Sequence, residues 1–90
     1  MTYSDFEPLL DTTFQLTAED GPIALTLKEA KTLSHGAREG GAFSLVFVGP
    51  AEPVLAQASY NIENEGMTLP IFLVPIGPFE GGMGYEAVFA

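Results

Sequence analysis

Hydrophobic and polar residues alternate along most of the chain, and the alternation predicts strands. Thr13-Phe14-Gln15-Leu16-Thr17 points Phe14 and Leu16 one way. Residues 22–27 repeat the pattern with Ile23, Leu25 and Leu27, and Glu19-Asp20-Gly21 between the two segments reads as a hairpin turn. Residues 42–48 carry Phe43, Leu45 and Phe47 on one face and Ser44, Val46 and Val48 on the other. Two largely apolar faces place that strand centrally. Residues 54–62 form the next strand, with Ala56, Ala58, Tyr60 and Ile62 opposite the more polar Leu55, Gln57, Ser59 and Asn61. Glu63-Asn64-Glu65-Gly66 turns the chain, residues 67–76 return it, and residues 77–84 read as a long glycine-rich turn before a last strand over 85–90.

Two segments break the alternation. Ser4-Asp5-Phe6-Glu7 has the form of a capping box and predicts one short helical turn that tucks Phe6 and Leu9 or Leu10 onto the core. Residues 28–34 are rich in helix formers, and Leu27, Ala30 and Leu33 keep helical spacing, which predicts a short helix ending near His35-Gly36. Residues 36–41 then form a loop. The sum is a mainly β protein: a small antiparallel barrel or sandwich of about six strands with one or two short helices, in a single domain over residues 1–90.

Composition narrows the chemistry. The chain is 47% hydrophobic, which suits a folded protein. It has no cysteine, so disulfides, thiolate metal sites and cysteine nucleophiles are excluded. Twelve carboxylates face three basic residues, Lys28, Lys31 and Arg38, for a net charge of -9. Nucleic acid is therefore not an expected partner, because phosphate binding needs clustered cations. The apolar run at 70–78 is far short of the roughly 20 residues of a membrane helix, so no membrane insertion is expected. Met1-Thr2-Tyr3-Ser4-Asp5 lacks the charged and apolar regions of a signal peptide. Location stays open beyond cytoplasmic synthesis.

The usual catalytic sets are missing. His35, the one histidine, sits at an expected helix end, and no serine lies in a nucleophile-elbow context. Paired carboxylates at Asp5/Glu7 and Glu63/Glu65 fall at turns or helix starts, where they are solvated. Glu63-Asn64-Glu65 lacks the ligand spacing of a calcium loop. Gly81-Gly82-Met83-Gly84 is followed by a strand, whereas a phosphate loop leads into a helix. The expectation is no enzyme, no metal and no cofactor.

Two positive features remain. Residues 69–76 are apolar on both sides and carry Pro70 and Pro75, which belong at sheet edges or bulges. An apolar edge associates readily, so Leu69, Ile71, Phe72, Leu73, Val74 and Ile76 are candidate interface residues, unless the amino-terminal segment covers their second face. The partner would be another protein or a second copy of the chain. Alternatively, Tyr3, Tyr60, Phe79 and Tyr85 could line a cleft for a small ligand or carbohydrate.

Four blocks, Phe43-Ser44-Leu45-Val46-Phe47-Val48-Gly49-Pro50, Gln57-Ala58-Ser59-Tyr60, Phe72-Leu73-Val74-Pro75-Ile76-Gly77 and Tyr85-Glu86-Ala87-Val88-Phe89, occur in that order. Together they resemble a small uncharacterised domain family of bacteria and their phages. The sequence departs from that family's pattern at Val48, where a basic residue is common, and at Ala90, where the family has Asn. The resemblance implies association with phage-tail-like proteins carrying a collar domain, hence a structural or accessory role, and it transfers no catalytic residue. Gln57 and Tyr60 read as its buried polar groups.

Overall fold

The computed structural model describes residues 3–18, 21–33 and 41–89. Six antiparallel strands close into a barrel in the order β1-β2-β3-β6-β5-β4. They are β1 (Thr13–Ala18), β2 (Gly21–Thr32), β3 (Phe43–Gly49), β4 (Ala58–Asn64), β5 (Met67–Phe79) and β6 (Gly82–Phe89). A short helix, α1 (Tyr3–Phe6), runs into a 3-10 turn over Glu7–Leu9. His35, the Glu19-Asp20 pair and residues 36–40 lie outside the described residues.

Alternation builds the core as expected. Phe14, Leu16, Leu25, Leu27, Phe43, Leu45, Phe47, Ile62 and Leu73 are fully enclosed. Each such side chain contributes about 1.5–3 kcal/mol through burial. Phe14 meets Phe47 edge-on, with ring centroids 5.5 Å apart. At one end of the barrel Phe6 drops from α1 onto Phe43 and Phe89, both 5.8 Å away, and these two stack across the β3–β6 ladder at 4.6 Å. The helical turn thus acts as a plug. Ser4 lies inside α1 and does not precede it, so the capping-box reading sets the helix start a residue or two late.

The expected helix over residues 28–34 is a strand through Thr32. The β2–β3 register runs Leu27↔Phe47 and then Glu29↔Val46, so Lys28 is the extra residue of a bulge. A bulge shifts the alternation by one position. Leu27 and Ala30 therefore face the same side three residues apart, which imitates helical spacing.

β4 begins at Ala58, four residues later than alternation predicts. Residues 53–57 form a separate crossing segment. Leu55 is buried there, its N–H donating to Tyr85 Oη at 2.9 Å, while Tyr60 Oη donates to the Ala56 carbonyl at 2.6 Å.

β5 is not a sheet edge. Met67–Leu73 pair with β4, and Val74–Phe79 pair with β6. The prolines fit because of parity. Asn64 Nδ2 donates to Thr13 O, so odd-numbered backbone groups of β1 face β4. Gln15 opposes Glu63, which turns the backbone of Glu63 and Asn61 toward β1 and leaves Asn61↔Pro70 a non-bonded pair. The Pro70 nitrogen then points away from β4, and that of Pro75, five residues on, points away from β6. Neither proline removes a ladder bond.

The turns at either end of β5 are tighter than the sequence suggests. Glu65-Gly66 and Glu80-Gly81 are two-residue links in which all four residues have positive φ, the signature of type I′ hairpins. Asn64 belongs to β4, and most of the expected glycine-rich turn at 77–84 is strand. Gly82 is needed for a different reason: a β-carbon there would strike the Gly49 carbonyl. Among the described residues, no helix is long and apolar enough to cross a membrane.

Candidate functional site

Period-two geometry divides the candidate interface into two sets. Leu69, Ile71 and Leu73 point into the core. Phe72 and Ile76 point outward and are 51% and 47% exposed, with Val74 half-buried beside them. Ile76 keeps the outward parity of Phe72 and Val74, and the one-position shift between Pro75 and Gly77 brings Phe79, paired with Gly82, onto the same outer face.

The outward set extends beyond β5. Val46, Glu86 and Val74 form one row across β3, β6 and β5. Val88, 56% exposed, follows on β6. Gly84 lets the strip continue: a β-carbon there would lie 3.0 Å from Phe79 Cβ and 3.2 Å from Ile76 Cγ1, so both side chains pack over the bare glycine. Phe72, Val74, Ile76, Phe79 and Val88 therefore form an apolar outer strip in which Glu86 is the charged residue. Val88 is absent from the candidate set, and the signal that finds it is the alternation of Tyr85, Ala87 and Phe89, which leaves Val88 on the outward face.

The four candidate aromatics do not share a cleft. Phe79 belongs to the outer strip. Tyr85 is only 1% exposed and serves Leu55 from within the core. Tyr3, on α1, donates its hydroxyl to Glu7 at 3.0 Å. That hydrogen bond to a carboxylate raises the Tyr3 pKa above its ordinary value, with burial and the Glu7 charge adding to it.

Tyr60 lines a cleft of about 440 Å³ at the barrel end opposite the Phe6 plug. Its other walls are Ala18 and Ile23 of the β1–β2 hairpin, Ala58 of β4, and residues 53–56. The sequence pointed to Tyr60 alone. The rest of this mouth depends on how the crossing segment folds back, which alternation does not report. A second cleft of similar size, where β1 meets β4, is lined by Gln15, Thr17, Asn61, Glu63 and Thr68 among others.

Among the described residues, the buried polar side chains besides Tyr85 are Ser44 and Asn64. Gln57 is exposed and Tyr60 only half-buried, so the expected buried polar pair is not the one found. Asn64 donates to Thr12 Oγ1 and Thr13 O at 3.0 and 3.1 Å, tying β4 to the start of β1. Lys28 Nζ lies 3.4 Å from Asp11 and 3.5 Å from Glu80. The Glu80 charge, with the Asp11 hydrogen bond and charge, raises the Lys28 pKa. Among the described residues, no three His, Asp or Glu side chains converge as metal ligands.

A family model described as Domain of unknown function (DUF6916) matches residues 1–89. No curated protein matches the chain, and no solved structure does.

Proposed function

We propose that this chain, which belongs to the DUF6916 family of domains of unknown function, is a non-enzymatic structural or protein-interaction module. The observation that carries the reading is the outer strip of Phe72, Val74, Ile76, Phe79 and Val88. Three of its members rank among the exposed large hydrophobic residues. An apolar strip on a strongly acidic protein is the kind of surface that marks association.

Charge selects the kind of partner. Two copies would bring two acidic surfaces together and set Glu86 near Glu86. A partner with apolar side chains and a basic group opposite Glu86 is favoured over a second copy. The finer reading, a role accessory to a phage-tail-like or surface assembly, rests on the resemblance of the four sequence blocks.

The test is native mass spectrometry of the chain purified from its own cells, beside a Phe72→Ser/Val88→Ser variant. A defined complex recovered with the parent chain and lost with the variant supports the reading. Equal recovery with both chains, or a bare monomer at high concentration, counts against it.

A further inference from the structure

The barrel mouth is a separate site. Two hydrogen bonds hold its outer wall in place, Leu55 N–H to Tyr85 Oη and Tyr60 Oη to the Ala56 carbonyl. Ala18, Ile23, Ala58 and Tyr60 line the rest of the cleft. The cleft is therefore preformed, and at about 440 Å³ it falls at the small end of the usual range for ligand sites, roughly 300–1,000 Å³.

The lining sets the chemistry of an occupant. Among the described residues that line it none is charged, and the polar side-chain atom among them is the Tyr60 hydroxyl. That hydroxyl has given its proton to Ala56, so toward a ligand it can only accept. An anion would meet no cation among these residues and would face a net charge of -9. The geometry points to a binding site for a compact apolar group, neutral or cationic, that carries one N–H or O–H donor to Tyr60. This goes beyond the outer strip, whose residues lie on the other surface of the wall. A free small molecule and an aromatic side chain offered by a partner share this chemistry.

Indole, N-methylindole and indole-3-acetate are suitable probes, read by amide chemical shifts in the intact chain. Indole is expected to shift Ala18, Ile23, Ala56, Ala58 and Tyr60. N-methylindole, which has no donor, should bind about three- to tenfold more weakly, the value of one hydrogen bond. The anionic indole-3-acetate should be weaker still. Tyr60→Phe should equalise indole and N-methylindole, with the buried Leu55 N–H to Tyr85 Oη bond still holding the wall so that both bind, and Ala58→Leu should fill the cleft and abolish binding. If Ala58→Leu does not fold, the Tyr60→Phe comparison decides. A blocked Gly-Trp-Gly peptide that binds more tightly than indole assigns the site to a partner's side chain, and weaker binding assigns it to a free molecule. The inference fails if millimolar indole leaves the mouth amides unmoved, if shifts appear only at Phe72, Ile76 and Val88, or if Tyr60→Phe leaves the preference for indole intact. Loss of the outer-strip complex would leave these outcomes unchanged.

Discussion

The backbone N–H of Leu55 ends on the hydroxyl of Tyr85, 2.9 Å away inside the protein. The tyrosine comes from β6 and the leucine from the segment that crosses the mouth, so one bond ties a loop to a strand thirty residues later. Tyr85→Phe keeps the ring but orphans a buried donor, at an expected cost of about 1–3 kcal/mol. Urea unfolding should show it. Tyr60→Phe removes a bond at the exposed rim and should cost far less.

Gly82 and Gly49 approach backbone to backbone at the end of the β3–β6 ladder. Gly82→Ala must push the strands apart, and we expect a loss of about 1–3 kcal/mol or more, as for other overpacked sites. Val54→Ala, at an exposed position, should change stability by no more than about 0.5 kcal/mol. Thermal melts of the two variants provide the comparison.

The I′ turns place Glu65 and Glu80 at φ 48° and 46°, where Asn is better suited. Glu65→Asn should stabilise the protein by roughly 0.5 kcal/mol, since αL backbone favours Asn. Glu80→Asn should gain less, because it gives up the contact with Lys28. Paired denaturation curves, repeated in high salt, separate the two contributions: salt should narrow the difference between the variants.

Alkaline pH should weaken the fold. The Lys28 pKa is raised above its ordinary 10.5, chiefly by Glu80 and then by Asp11, so the folded chain holds that proton more tightly than the unfolded chain. The associated stability is complete below pH 10.5 and is lost as pH climbs through the raised value. Tyr3 acts in the same direction above its ordinary 10.0, through its hydrogen bond to Glu7. Stability measured across this range should fall less steeply in Lys28→Gln and Tyr3→Phe than in the parent chain.

The parts of the fold legible in the sequence are those where the period of two runs unbroken. Phe14/Leu16 and Phe43/Leu45/Phe47 announce their strands and their inward faces. The sequence misleads where a bulge shifts the period, and it does so twice. At Lys28 the shift makes a strand look helical, and at Ile76 it sends Phe79 outward, where strict alternation from Leu73 would turn it inward. The prolines of β5 suggested an edge because sequence reports that a donor is missing but not which way it would have pointed. Barrel pairing on alternate sides accommodates both. The site was legible in part for the same reason. Alternation nominates Phe72 and Ile76 together with their inward neighbours, and only closure of the barrel tells the sets apart. The mouth was harder to see, since its walls come from three distant segments that meet through two tyrosine hydroxyls.

The barrel closes where β1 meets β4, at Gln15↔Glu63 and Leu16↔Ile62, whereas the neighbouring ladders run for six or seven residues. A cylinder joined so briefly along one line behaves as a sheet with a clasp. Local opening should start there, with the β4–β5 hairpin swinging out while β2, β3 and β6 stay together, so amide exchange would register a low-energy unlatching of Glu63 and Gln15 well below global unfolding. Asn64, reaching to Thr12 and Thr13, acts as the catch.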